Sequence, residues 1–179
     1  MDEKMKNCCF TGHRPEKLPW GADENDPRCR RLKEELGCHL EGLYLAGCRH
    51  FLCGMARGCD FYFAEAVLAL REKYPDVTLE AALPCDTQPN AWSAAERRRY
   101  DHLLAESDEV TFVAHLYTPG CMQRRNEYMV DASGVLLAVF NGGGAAGDAQ
   151  APAPEAAQGG GSDDNDEEGD LFSTEEEQT

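Results

Sequence analysis

Short apolar runs alternate with stretches whose apolar residues recur every three or four positions, up to about residue 142. The run NCCFT at 7–11 predicts a strand that ends at Gly12. Over 27–46, Leu32, Leu36, Leu40 and Leu43 share one helical face, Asp26 is placed to cap the helix, and Pro27 suits its first position. A second strand at 50–53 runs into the glycine turn GMARGCD. A helix over 60–74 would turn Phe61, Ala64, Val67 and Leu68 inward, with Pro75 just beyond its end. Residues 78–83 predict a third strand. A third helix follows over 93–107, where Ser93 and Glu96 have the spacing of a capping box. A strand at 109–114, a helix over 119–132 and an almost wholly apolar strand at 135–140 complete the pattern. Strands that alternate with helices and are apolar on both faces predict an α/β fold. The expected architecture is Rossmann-like, three layers α/β/α, with a mainly parallel sheet of about five strands and no internal repeat.

The pattern stops abruptly. After Gly142 the chain runs GGAAGDAQAPAPEAAQGGGSDDNDEEGDLFSTEEEQT, where Leu171 and Phe172 are the only large apolar side chains. A segment of that composition buries too little surface to offset chain entropy. The expectation is one domain over 1–142 and a disordered acidic, Gly/Ala/Pro-rich tail over 143–179. The tail also explains the net charge of −16, because it holds 11 acidic residues and no Lys or Arg. The remaining 22 acids against 17 bases leave the domain near −5, which disfavours a nucleic-acid partner.

No run approaches the roughly 18–20 apolar residues needed to span a bilayer, and MDEKMKN lacks the apolar core of a signal peptide. The expectation is a cytoplasmic protein with no membrane partner. Nine cysteines, an odd number without a C-x-x-C pair, fit buried thiols in a reducing compartment rather than a structural zinc site. Cys53 and Cys59 are the two candidates for a reactive thiol, and no metal site is expected.

In an open parallel sheet, ligands bind beyond the carboxyl ends of the strands. Three glycine-bearing stretches fall there: Thr11, Gly12, His13 and Arg14 after the first strand; Gly54 to Asp60 after the second; and Asn141 with Gly142, Gly143 and Gly144 after the fifth. Glycine admits close backbone approach, and a helix N-terminus offers unpaired N–H groups to an anion, so a phosphate or pyrophosphate is the expected guest. None of the three is G-x-G-x-x-G, which argues against a simple NAD dehydrogenase. A guanidinium at Arg14 suits a bidentate phosphate contact. His13 reads as a loop-capping or ligand-stacking residue ahead of an acid–base group. Asp60 either binds a ribose hydroxyl or caps its helix. Arg124, Arg125 and Asn126 open the fourth helix near the same edge, whereas Arg97, Arg98 and Arg99 read as a solvated face.

Three segments carry a family likeness: FTGHRPEKLPWG, GMARGCDFYFAEAVLALREKYP and YTPGCMQRRNEYMVDASGVLLAVFNG. In order and spacing they resemble the YpsA-like family of the SLOG (Smf/DprA–LOG) superfamily, over nearly all of residues 5–142. The resemblance implies a Rossmann-like domain that binds a nucleotide or nucleotide derivative, such as an ADP-ribose-like molecule or a nucleoside phosphate, as a sensor. It also implies a link to bacterial stress or cell-division regulation, without a settled enzymatic activity. Carried over, the pocket would use Gly12, His13 and Arg14, then Gly54, Gly58 and Asp60, then Arg124 and Asn126, with Asn141 and Gly142 closing it. The chain departs from the family after its last strand. A Gly-Gly-Thr turn and a closing helix are usual there, but here no Thr follows Gly144 and the acidic tail replaces the helix. Either the tail has diverged or the reading frame shifts near residue 143.

Two other functions compete. A LOG-like nucleotide N-glycosidic hydrolase (phosphoribohydrolase) would need a P-G-G-x-G-T-x-x-E motif, of which only Pro119-Gly120 is present. Single-stranded DNA binding in the manner of DprA would need a basic groove, which the domain's charge disfavours. The sequence leaves a protein partner or a second copy of the chain open.

Overall fold

The computed structural model describes residues 3–140 and the backbone of Phe172–Glu176. Five strands, β1 (Asn7–Gly12), β2 (His50–Cys53), β3 (Thr78–Leu83), β4 (Glu109–Phe112) and β5 (Val135–Val139), form a parallel sheet. Four helices join them: α1 (Pro27–Ala46), α2 (Cys59–Lys73), α3 (Ala94–Glu106) and α4 (Cys121–Ala132). With Phe172–Glu176 as β6, the strand order is β4-β3-β2-β1-β5-β6, and Cys8 lies opposite Phe51 and Phe10 opposite Leu137. This is the expected three-layer, Rossmann-like arrangement. It places β1 between β2 and β5, so the loops that leave β1 and β2 lie side by side at one end of the sheet. Among the described residues, no helix is long and apolar enough to cross a membrane.

Local chemistry sets the helix ends. The Asp26 carboxylate accepts from Arg28 N–H at 2.8 Å and Pro27 fills the first position of α1, while Gly47 at φ 117° stops it. Ser93 and Glu96 close the capping box at the start of α3. Helix α2 starts at Cys59 behind Gly58, not at Asp60, and β4 stops at Phe112, short of the expected 114.

The two faces of the sheet are packed unequally. On one, Leu32, Leu36 and Leu40 of α1 and Phe63 of α2 are completely buried, and the Phe63 ring stacks on Phe10 at 4.3 Å. Each such side chain stabilises the fold by about 1.5–3 kcal/mol. On the other face, among the described residues, α4 packs Met129 onto Cys9, Leu52 and Ala82. All nine cysteines are free thiols and eight are buried; burial pushes Cys59 up to about 12 and Cys53 higher still. Both side chains are completely buried, out of reach of a reagent in the native fold, and a thiol held from ionisation is a poor nucleophile.

Two expectations change. Arg99 does not sit on a solvated face: its guanidinium clamps Glu24 and Glu65 with bonds of 2.6–2.9 Å, tying α3 to α2 and to the loop before α1. The tail of 143–179 lies outside the described residues except for Phe172–Glu176. Those five form β6, antiparallel to β5 with Val139 opposite Phe172, rather than unstructured chain. Backbone pairing along an open strand edge needs no apolar side chains, so composition gave no warning of it.

Candidate functional site

At the carboxyl ends of β1 and β5, a cavity of about 280 Å³ opens between the loop after β1, the start of α2 and the start of α4. The glycines make this convergence possible. Gly58 has φ 86°, and a Cβ there would lie 2.7 Å from the His13 carbonyl oxygen. The close approach lets Cys59 N–H donate to that same carbonyl at 3.1 Å. At Gly54 a Cβ would overlap the Arg125 guanidinium. The space left open takes that side chain, and Arg125 Nη1 donates to Gly54 O at 2.8 Å. Met55 completes the turn with φ 53°, a left-handed backbone uncommon outside glycine.

Three polar side chains are buried in the cavity wall: His13, Asp60 and Arg125 are 7%, 6% and 7% exposed. Asp60 Oδ2 accepts from Ala56 N–H at 3.0 Å. Burial pushes its carboxyl up to about 6, against the pull of Arg125, the Ala56 N–H and Arg14. Burial lowers Arg125, and Asp60 opposes that shift; a guanidinium keeps its proton at neutral pH. Arg125 Nε donates to Asn126 Oδ1 at 2.8 Å. Asp60 and Arg125 therefore feel each other, yet no ion pair within 4 Å joins them among the described residues. His13 Nε2 is buried without a hydrogen-bond partner among the described residues. At the mouth, the exposed Arg14 guanidinium has no hydrogen-bond partner among those residues, and Lys17 and Glu16 stand beside it.

A family model described as the YspA SLOG family, YpsA, matches residues 8–149. The chain belongs to this SLOG family. It is 31% identical over 130 residues to the uncharacterized SPbeta prophage-derived protein YoqJ of Bacillus subtilis strain 168, which covers 65% of this chain and 76% of that protein. It is 27% identical over 139 residues to a UPF0398 protein of Bacillus pumilus strain SAFR-032, covering 76% of this chain and 74% of the relative. A UPF0398 protein of Bacillus thuringiensis strain Al Hakam is 26% identical over 140 residues, covering 76% and 75%.

Of the expected pocket residues, Thr11 from the loop reading and Gly12, His13, Arg14, Asp60 and Asn126 from the YpsA resemblance line the cavity. Gly54 and Gly58 stand behind it and shape it through the close approaches above. Arg124 does not line it: the side chain is exposed and bonded to Thr118 Oγ1 and Pro119 O. The next residue takes that place, because one step along a helix turns a side chain by 100°. Cys121, Arg125 and Met129, four apart, form the buried stripe of α4; that spacing was the signal for choosing Arg125. Asn141 and Gly142 lie outside the described residues. Asp60 is not the cap of α2, since Gly58 holds that position and the carboxylate reaches back to Ala56. Two N–H groups of the glycine turn, those of Ala56 and Cys59, are already spent within the protein. The positive character of this site therefore rests on side chains more than on the loop's backbone.

Proposed function

We propose that this SLOG domain binds a nucleotide or nucleotide derivative in the cavity, as a sensor-type module. The observation that carries the reading is the coexistence of Asp60 and Arg125, two buried opposite charges that line one cavity without pairing directly. A buried charge is costly unless a partner compensates it, and a ligand with a hydroxyl and a phosphate supplies both partners. In this reading Arg125, Arg14 and Lys17 meet the phosphate, and Asp60 accepts from a ribose hydroxyl. The position beyond the strand ends is where open α/β sheets hold such ligands.

Melting of the protein with nucleoside phosphates, ADP-ribose, dinucleotides and inorganic phosphate tests the proposal. A ligand at about 100 times its dissociation constant stabilises the fold by roughly 2.7 kcal/mol. Asp60→Asn should weaken the ribose-bearing ligands more than inorganic phosphate, and Arg125→Met should weaken both. Unchanged affinities in the two variants, with normal melting of the free protein, would place binding elsewhere.

A further inference from the structure

A second, smaller lobe of about 90 Å³ adjoins the main cavity. The two meet at Arg14, Ala56 and Met122, which line both. The wall of the small lobe is completed by Arg57, Gln88 and Trp92, and its character differs from that of the main cavity. Trp92 is held edge-on by Phe61 at 5.8 Å and by Tyr100 at 5.4 Å, so its ring is fixed before any ligand arrives. Arg57 is anchored by Glu16 at 2.7 Å and Glu96 at 3.2 Å and lies 5.9 Å from the centre of the Trp92 ring. Its charge is thus already compensated. The Met122 thioether offers a polarizable contact suited to an aromatic guest.

Gln88 gives the lobe its polarity. Its Nε2 donates to Gly54 O and to Met55 O, each at 3.0 Å. Two carbonyls can be served only by the NH₂ end of the amide, so the orientation of the side chain is decided. Oε1 is left buried without a partner among the described residues, an acceptor whose pairing by a ligand would be favourable. The same Gly54 carbonyl accepts from Arg125 in the main cavity. One backbone oxygen therefore fixes the phosphate-side guanidinium and the amide of the small lobe relative to each other.

We infer that the small lobe is a nucleobase subsite, in which a base bearing an exocyclic amino group lies against Trp92 and donates to Gln88 Oε1. The inference rests on the nucleotide reading of the main cavity and extends it to base selectivity. A flat aromatic wall, a thioether and one oriented acceptor match a π-face and an N–H edge; a sugar or a second phosphate would find no cation free of a carboxylate partner except Arg14.

The test is titration of the full chain with AMP, purine riboside 5′-phosphate (which lacks the amino group), ribose 5-phosphate and inorganic phosphate. Tryptophan emission and melting temperature are read together. The chain has two tryptophans, and Trp20 is buried in the core, so it serves as an internal control. AMP should bind about tenfold more tightly than purine riboside 5′-phosphate, as one added hydrogen bond predicts, and should quench part of the emission. Trp92→Leu should abolish the quenching and bring AMP down to the affinity of ribose 5-phosphate, whose own affinity stays unchanged. Gln88→Met should remove the preference for the amino group. Equal affinity of the wild type for AMP and ribose 5-phosphate, without quenching, would overturn the base subsite and leave the phosphate site standing. No response to any probe, inorganic phosphate included, would overturn both.

Discussion

Two polar clusters are buried against this sheet, and they are built differently. One lies under α4. There Glu80, 3% exposed, accepts from Thr111 Oγ1 and Tyr128 OH at 2.7 Å each, and its other oxygen meets His50 Nε2 at 2.8 Å. His50 in turn meets Thr78 Oγ1 at 2.8 Å through its second ring nitrogen. Every polar atom of Glu80 and His50 has a partner. The other cluster is His13, Asp60 and Arg125 at the carboxyl ends of the strands, with an unpaired imidazole nitrogen and two charges that do not touch. The first cluster is complete as it stands and ties α4 to β2, β3 and β4. The second carries an electrostatic cost that a ligand would offset. Both clusters are buried; only the second leaves a polar atom unpaired beside a cavity.

The largest expected effect of breaking the contrast is at the complete cluster. Glu80→Ala strands His50, Thr111 and Tyr128 without their acceptor and should destabilise the protein by about 3–5 kcal/mol. Chemical denaturation measures it, and a loss under about 1 kcal/mol would mean that the network is not what holds α4 down. Next comes pH. The Asp60 carboxyl is raised from 3.8 to about 6, so the folded state binds the extra proton between those values. Stability should therefore fall as pH rises from about 4 to 6, by on the order of 3 kcal/mol. Glu80 is shifted the opposite way, with its hydrogen bonds to His50, Tyr128 and Thr111 outweighing burial. Its contribution is present above the ordinary carboxylate range and is lost as pH falls through its lowered value. Asp60→Asn should remove the first slope and leave the second. An unchanged pH profile in that variant would show that Asp60 is not the titrating group.

A smaller effect sharpens the same comparison. Without ligand, Asp60→Asn should be neutral or stabilising at pH 7, by about 1 kcal/mol, since it removes an incompletely paired buried charge. Glu80→Gln should cost stability under the same conditions. If both destabilise equally, the two clusters are both structural. The smallest effect is chemical: in native protein a thiol reagent should find Cys38, the one exposed cysteine, and reach the other eight only on unfolding. Rapid modification of Cys59 would show that the buried start of α2 opens.

The alternation of apolar runs with helical periods was enough to place all four helices and the five parallel strands to within two residues, because most of these elements bury an apolar face and α1 and α3 carry side-chain caps. Asp26 with Pro27, and Ser93 with Glu96, are chemistry between neighbours and are visible in any reading of the chain. The three motifs were enough for the family, since their residues and spacing survive translation into a string. Tertiary structure decided what depends on direction. Arg124 and Arg125 are adjacent letters, but one turns to solvent and the other into the cavity. Gln88 and Trp92 carry no local signal; they become neighbours of the site because β3 lies beside β2 and Gln88 reaches the carbonyls of Gly54 and Met55. The hydrogen-bond surroundings of Glu80 and Asp60 are likewise visible only in the folded chain, because completeness of hydrogen bonding is a property of groups brought together from distant positions, and no local pattern encodes it.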